Sequence, residues 1–99
     1  MIIVTGSVKV SEDALEQAIK MSHSHVKRSR NEPGCISHDV HIDSENSNRL
    51  VLVEHWQDIT SLEKHFQIPE SGGFIQAIAE LPVVAPELKI YLSDEITRH

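Results

Sequence analysis

The chain has 99 residues, and its 9 basic and 15 acidic side chains give a formal net charge of −6. This length supports one hydrophobic core, so we expect a single domain over residues 1–99, and the negative charge disfavours a nucleic-acid partner because phosphate backbones would repel it. The single cysteine cannot form an intrachain disulfide, and the N-terminus lacks the pattern of a signal peptide, so we expect a cytoplasmic protein. No apolar run approaches the roughly 20 residues that cross a bilayer, so we expect no membrane segment.

The first third of the chain predicts a strand followed by a helix. From Ile2 to Val10 apolar and polar residues alternate, which is typical of a half-buried strand. Ser11 can then cap a helix that we expect from about Glu12 to Arg28, because apolar and small residues recur there at helical spacing. These residues are Leu15, Ala18, Ile19, Ser22 and Val26.

A hairpin is predicted next. The sequence Asn31-Glu32-Pro33-Gly34 favours a turn, since Pro restricts φ and Gly permits a positive φ. The segments Cys35–Ile42 and Arg49–Gln57 are predicted strands, and the polar residues 43–48 between them predict a roomy loop. In the first of these strands, one face is expected to carry Ile36, His38, Val40 and Ile42.

Two short helices and a last strand complete the prediction. Asp58 is suited to N-cap a second helix, which we expect to end before Pro69. After a break at residues 69–73, apolar spacing predicts a third helix over residues 74–81. Alternation over residues 88–92 predicts the fourth strand.

The predicted order is β-α-β-β-α-α-β, which is the split βαβ or ferredoxin-like arrangement of an α+β protein. Its four-stranded antiparallel sheet would carry helices on one face only, so the other face would meet water or a second sheet. That other face is expected to present Thr5, Ser7, Ser37, Asp39, His41, Val51, Val53, His55 and Tyr91.

The third strand carries the first candidate site residues. Its period of two places Leu50, Leu52, Glu54 and Trp56 on one face. A carboxylate among apolar neighbours needs a partner or a wet strand end, so Glu54 is either a structural hydrogen-bonding group or the orienting group of a pocket. Trp56 is either a core residue or a flat wall that stacks an aromatic ligand.

Two of the histidines are candidate proton acceptors. His65 lies near the apolar side of the second helix, and it is either an exposed or capping residue or a base that reaches between helix and sheet. His38 shares its predicted face with apolar residues, so its imidazole is expected to be buried or to line a cavity. Cys35 and His38 would point to opposite faces of their strand, which argues against a nucleophilic pair.

We expect no metal site and no nucleotide-binding loop. His23 and His25 are two residues apart on a helix and diverge, whereas His38 and His41 would face opposite sides of a strand. The segment Ser71-Gly72-Gly73 lacks the following Lys-Ser/Thr of a phosphate-binding loop.

In their order and spacing, these motifs resemble the antibiotic biosynthesis monooxygenase family, including the quinol monooxygenase-like proteins. The resemblance covers essentially the whole chain. The residues that carry it are Glu32-Pro33-Gly34-Cys35, Arg49 to Trp56 with its final Glu54-His55-Trp56, Leu62-Glu63-Lys64-His65-Phe66, and Phe74. It implies a homodimeric α+β barrel in which two sheets pack face to face, while each subunit keeps its own pocket between sheet and helices.

The resemblance also implies oxygenation of an electron-rich quinol, polycyclic phenol or anthrone by O₂, with no cofactor and no metal. The substrate would first lose a proton, and the resulting anion would then reduce O₂ and recombine with it. This chemistry requires a base, a dry cavity and an aromatic clamp. A branch of the superfamily that degrades haem uses a histidine on its third helix, which residues 74–81 lack.

Carried over residue by residue, the resemblance makes His65 or His38 the catalytic base. The substrate-binding residues that it implies are Trp56 as the clamp, Glu54 beside it, Phe66 and Phe74. The chain departs from the family at His38, where relatives often carry Tyr, and at Gly73, where they often carry a second histidine.

Two other functions are compatible with the same sequence. One is a non-catalytic barrel that binds or carries a small apolar metabolite, and the other is an isomerase or lyase that moves protons without consuming oxygen. The fold cannot distinguish them, because function depends on the site. The side chains that line the largest cavity are therefore the decisive observation.

Overall fold

The structure is a computed structural model that describes residues 1–98. Its strands are β1 (Ile2–Val10), β2 (Cys35–Asp43), β3 (Asn46–Trp56) and β4 (Val83–Leu92). Its helices are α1 (Leu15–Ser29), α2 (Ile59–Gln67) and α3 (Pro69–Ala79), and a short 3-10 turn over Glu12–Ala14 precedes α1. The predicted α+β, ferredoxin-like fold is confirmed. No helix within residues 1–98 is both long and apolar enough to span a membrane.

The four strands form one antiparallel sheet in the order β2-β3-β1-β4. Helices pack on one face of it through two apolar clusters. The first cluster consists of Val8, Val10, Ala14, Ala18 and Leu50, and the second consists of Ile2, Val4, Trp56 and Leu62. Along β3, Leu52 and Glu54 separate the two clusters, and the polar groups described below lie in this gap.

The hairpin between β2 and β3 is tighter than predicted. Asp43 pairs with Asn46, so the turn consists of Ser44 and Glu45. Asp43 Oδ1 accepts a hydrogen bond from the Glu45 N–H at 2.8 Å. An aspartate whose side chain accepts a backbone hydrogen bond within its own turn allows a polar segment to form a short hairpin. The run of polar residues 43–48 therefore predicted a longer loop than the structure has.

A β-bulge at the start of β2 changes which residues share a face. Cys35 pairs with Trp56 and Ser37 with His55, so Ile36 is the extra residue. Cys35 therefore packs against the second cluster, whereas Ile36 is exposed. Two expectations were therefore wrong, namely that Ile36 shares a face with His38 and that Cys35 and His38 point to opposite faces, because a bulge shifts the alternation of a strand by one residue.

Of the two predicted helix caps, one is present. Asp58 is the N-cap of α2, and its Oδ1 accepts a hydrogen bond from the Ser61 N–H at 2.8 Å. The side chain of Ser11 makes no capping hydrogen bond, and the chain enters α1 through the 3-10 turn instead.

The third helix begins earlier than predicted. α3 starts at Pro69 rather than Phe74, and Gly72 and Gly73 belong to it. Proline is favourable in the first turn of a helix, because its missing N–H would have no intrahelical partner there. The residues that suggested a break therefore form the first turns of a helix.

The last strand also begins earlier than predicted, at Val83 rather than Leu88. Its pairing with β1 shifts register between Ser7 and Lys9, and Ala85 has a φ of 51°. This irregularity interrupts the alternation of apolar and polar residues, so the pattern identified only the regular second half of β4.

Candidate active site

A cavity of about 470 Å³ lies between the helices and the sheet. Most of its wall is apolar and includes Val8, Leu52, Phe66, Phe74, Ile75, Ile78, Val83 and Leu88. The polar lining includes Ser22, His25, Glu54 and His65. An apolar pocket with a few convergent polar groups is the usual form of a small-molecule site.

His65 is held in a defined orientation by Glu32. Nδ1 of His65 lies 2.8 Å from Glu32 Oε1, and Ser71 Oγ lies 3.4 Å from the same nitrogen. A carboxylate can only accept, so this contact assigns the ring proton to Nδ1 and leaves the lone pair on Nε2. His65 is 2% exposed, which excludes the alternative of an exposed histidine.

The Glu-Pro-Gly-Cys turn places Glu32 beside α2. Gly34 has a φ of 83°, and its carbonyl oxygen accepts a hydrogen bond from the Gln57 N–H at 2.8 Å. A Cβ at Gly34 would overlap Ser61 of α2. Glycine therefore allows both the backbone conformation and the close approach of the turn to α2. The sequence predicted this turn but assigned no role to Glu32.

Glu54 connects the buried polar groups. Its Oε1 accepts a hydrogen bond from the indole N–H of Trp56 at 2.9 Å and lies 3.3 Å from His38 Nε2. Burial alone would raise the pKa of Glu54, but His38 and the Trp56 N–H outweigh this effect, and the pKa lies below its usual value. Glu54 is therefore a buried anion that holds its neighbours.

The structure does not place Trp56 or His38 on the cavity wall. Trp56 is fully buried in the second apolar cluster. His38 is also fully buried, and neither ring nitrogen makes a well-aligned hydrogen bond within residues 1–98, although Nε2 is within ion-pair distance of Glu54. The aromatic surface of the cavity comes instead from Phe66 and Phe74.

His25 is a site residue that the sequence analysis missed. It is 4% exposed, and its ring stacks on Phe74 with the centroids 4.1 Å apart. Burial and the neighbouring His38 and His65 lower the pKa of His25 to about 3, so the ring is uncharged at neutral pH. A helical repeat could have revealed it, because the buried residues of α1 include Ala18, Ser22, His25 and Ser29.

His25, His38 and His65 form one cluster, which we call the histidine cluster. Their ring centroids are 5.1 to 5.6 Å apart, and one ring nitrogen of each lies within 4.8 Å of the other two. The sequence analysis considered only pairs of histidines on one helix or one strand, and one member of each pair, His23 or His41, is exposed. The structure instead combines one histidine from each of α1, β2 and α2.

Residues 1–77 match the family model described as antibiotic biosynthesis monooxygenase. The chain belongs to this family. An uncharacterised Synechocystis protein, sll1783, is 36% identical over 90 residues, which is 91% of this chain. The chain spans 61% of the length of that relative.

Solved structures share the fold of this family member. A Deinococcus radiodurans protein described as a candidate antibiotic biosynthesis monooxygenase is 21% identical, with a TM-score of 0.94 over 100% of this chain and 98% of that one. A Bacteroides thetaiotaomicron protein of unknown function, described as a possible oxidoreductase, is 27% identical, with a TM-score of 0.80 over 91% of this chain and 92% of that one.

Proposed function

We propose that this protein oxidises a quinol-like or polycyclic phenolic molecule with O₂, without a cofactor, and that His65 is the base. One observation carries the proposal. His65 lines an apolar cavity while Glu32 holds its Nδ1, so Nε2 is left as the proton acceptor. A carboxylate that fixes the tautomer of an imidazole is the arrangement that general-base catalysis uses.

The cavity suits a small aromatic substrate. Its volume of about 470 Å³ is within the usual range of ligand pockets, and Phe66 and Phe74 offer aromatic surface. Ser22 Oγ is buried and has no hydrogen-bond partner within residues 1–98. Because Ser22 also lines the cavity, its hydroxyl is available to a second oxygen of a quinol.

The proposed reaction begins when Nε2 of His65 removes a proton from the substrate. Glu32 and the anionic Glu54, whose Oε1 is 3.9 Å from Nε2, would stabilise the resulting imidazolium. The substrate anion passes one electron to O₂, and the substrate radical then recombines with superoxide to a peroxide anion. The imidazolium of His65 returns its proton to this anion, which gives a hydroperoxide. At an activated methylene carbon, loss of water then leaves a carbonyl, so one oxygen atom enters the product and the other leaves as water.

Oxygen uptake by chelator-treated protein tests this proposal with a panel of hydroquinones and anthrones. We expect turnover by the wild type and a loss of about 10²- to 10⁴-fold in His65→Gln. His23→Gln is the matched control, because His23 is an exposed histidine of α1. A wild-type protein that is inactive across the panel at high concentration would contradict the proposal.

The same experiment separates the two alternative functions. Turnover without oxygen consumption would indicate an isomerase or lyase. Tight binding without turnover, unchanged when His38 and His65 are replaced together, would indicate a carrier protein.

We also propose a homodimer that forms through the sheet face opposite the helices. Val51 and Val53 of β3 lie on this face and are only half-buried in the single chain, next to the half-buried Thr5 and Asp39. Pairing with a second sheet would bury these valines, which favours association.

A further inference from the structure

Three buried imidazoles from three elements meet beside one carboxylate. Each residue of the histidine cluster is no more than 4% exposed. We propose that the histidine cluster binds one divalent first-row transition-metal ion of the Zn²⁺ class, with Glu54 as the fourth ligand. This inference goes beyond the oxygenase function and does not rest on it.

The separation of the three rings fits such an ion. A ligating imidazole nitrogen lies about 2.0–2.1 Å from zinc, so the centroids of three rings around a tetrahedral ion are about 5 Å apart. The separations here are 5.1, 5.3 and 5.6 Å, and the ring planes are inclined to one another by 79°, 52° and 60°. The nitrogens, which lie within 4.8 Å of one another, need small rotations to reach the roughly 3.3 Å edge of a tetrahedral site.

Glu54 lies where a fourth ligand is needed. Its Oε1 is 3.3 Å from His38 Nε2 and 3.9 Å from His65 Nε2, which is close to that edge length. The carboxylate also supplies negative charge to balance a cation in a buried site. Three imidazoles and one carboxylate are a ligand set that suits zinc and neighbouring metals of the first row.

His38 provides an independent reason to expect a ligand. Its ring is fully buried, Nδ1 has no hydrogen-bond partner within residues 1–98, and Nε2 has only the 3.3 Å contact with Glu54, which is not a well-aligned hydrogen bond. Buried polar groups in native proteins are nearly always hydrogen-bonded, so a buried ring without a well-aligned hydrogen bond indicates a missing partner. A metal ion would give one ring nitrogen of His38 the partner that it lacks.

The surroundings include groups that support a metal site and one that opposes it. Glu32 contacts Nδ1 of His65 at 2.8 Å, and the Trp56 N–H donates to Glu54 at 2.9 Å, which are contacts of the kind that orient metal ligands. In contrast, one guanidinium nitrogen of Arg28 lies 2.7 Å from His25 Nδ1. This positive charge would weaken binding of a cation.

A bound ion would compete with the proposed catalytic role of His65. Coordination through Nε2 uses the lone pair that would otherwise accept the proton of the substrate. Metal-loaded protein is therefore expected to lose any oxygen uptake that the metal-free protein shows.

Titration of the whole chain with metal tests the site. Tag-free, chelator-treated protein is titrated with ZnCl₂ by calorimetry and with CoCl₂ by visible absorption, because tetrahedral Co²⁺ has intense d–d bands. We expect one ion per chain, more than about 100-fold weaker binding in His25→Gln and in His38→Gln, and about 10- to 100-fold weaker binding in Glu32→Gln. The matched controls are His23→Gln and His41→Gln, which replace exposed histidines and should bind like the wild type.

Arg28→Gln provides a test in the opposite direction, since removing this charge should tighten binding severalfold. A wild type that binds no ion, or binding that persists unchanged in correctly folded His25→Gln and His38→Gln, would overturn the proposal. If those two variants unfold, unchanged affinity in both Arg28→Gln and Glu32→Gln overturns it. Because none of these titrations measures oxygen uptake, failure of the oxygenase proposal leaves their outcome interpretable.

Discussion

At the scale of single residues, the site depends on contacts that a short sequence motif only partly reveals. Glu32 and His65 are 33 positions apart and meet because Gly34 lets its turn lie against α2. The motif around each residue was visible in the sequence, but the hydrogen bond between them was not. For Trp56 the sequence suggested a ligand-binding role, but the structure shows a core residue whose indole N–H donates a hydrogen bond to Glu54.

Two glycine substitutions should change stability in opposite directions. Gly34→Ala should destabilise the protein by at least about 1–3 kcal/mol, because Gly34 has a positive φ and its Cβ would overlap Ser61. Gly73→Ala should stabilise it by about 0.5–1 kcal/mol, because Gly73 lies within α3 and a Cβ there meets nothing within 4 Å. Urea denaturation measures both changes in the free energy of unfolding. Equal effects of the two changes would contradict the role given to Gly34.

Phe74 and Trp56 should differ in what they affect. Phe74→Leu should weaken binding of an aromatic ligand, because Phe74 lines the cavity. Trp56→Phe should lower the melting temperature but leave ligand affinity nearly unchanged, because Trp56 is buried behind the wall and its N–H serves Glu54. Fluorescence or calorimetric titration with a hydroquinone, together with thermal unfolding, tests this. A loss of affinity only in Trp56→Phe would restore Trp56 as the clamp.

At the scale of elements, local capping explains both the correct and the incorrect boundaries. Asp58 begins α2 because its side chain accepts from the first turn of that helix. Pro69 was expected to begin a break, but the same residue is favourable at the start of α3. A proline therefore marks a boundary without showing which side of it is helical. In β2 and β4, bulges shifted the alternation that identifies strands.

The contribution of Asp58 should depend on pH. The Ser61 N–H and hydroxyl hydrogen bonds lower the pKa of Asp58 from its usual value of 3.8. A carboxylate whose pKa is lowered on folding stabilises the fold above its unfolded pKa and loses this contribution as the pH falls through its folded pKa. Asp58→Ala should thus lower Tm by about 4–8 °C at pH 7, and by less at pH 3.

Thermal unfolding at several pH values measures this effect. Asp58→Asn is the control, because Asn also caps helices but does not titrate. A difference between the wild type and Asp58→Ala that is the same at pH 7 and pH 3 would exclude the ionised cap.

At the scale of the whole molecule, the sheet separates two faces with different roles. One face packs against the helices and contributes to the cavity. The other carries Val51 and Val53, which are only half-buried in the single chain. The proposed dimer interface and the cavity are therefore on opposite sides of the same strands, and they can be altered separately.

Val53→Lys should convert the proposed dimer into a monomer. A charge at this position of the outer face would oppose burial against a second sheet, whereas the single chain leaves the face open to water. Sedimentation velocity measures the change, and Glu63→Lys on the exposed side of α2 is the control. A wild-type protein that is monomeric at high concentration would contradict this assembly.

The sequence by itself determined the order and type of the elements, the turn before β2 and the cap of α2. These features depend on local propensity and on a period of two or 3.6 residues, which neighbouring residues reveal. Only the tertiary structure decided that Glu32 holds His65, that Trp56 lies behind the cavity, and that His25 joins two other histidines. These features depend on distances between residues far apart in the chain, which the packing of helices on the sheet determines.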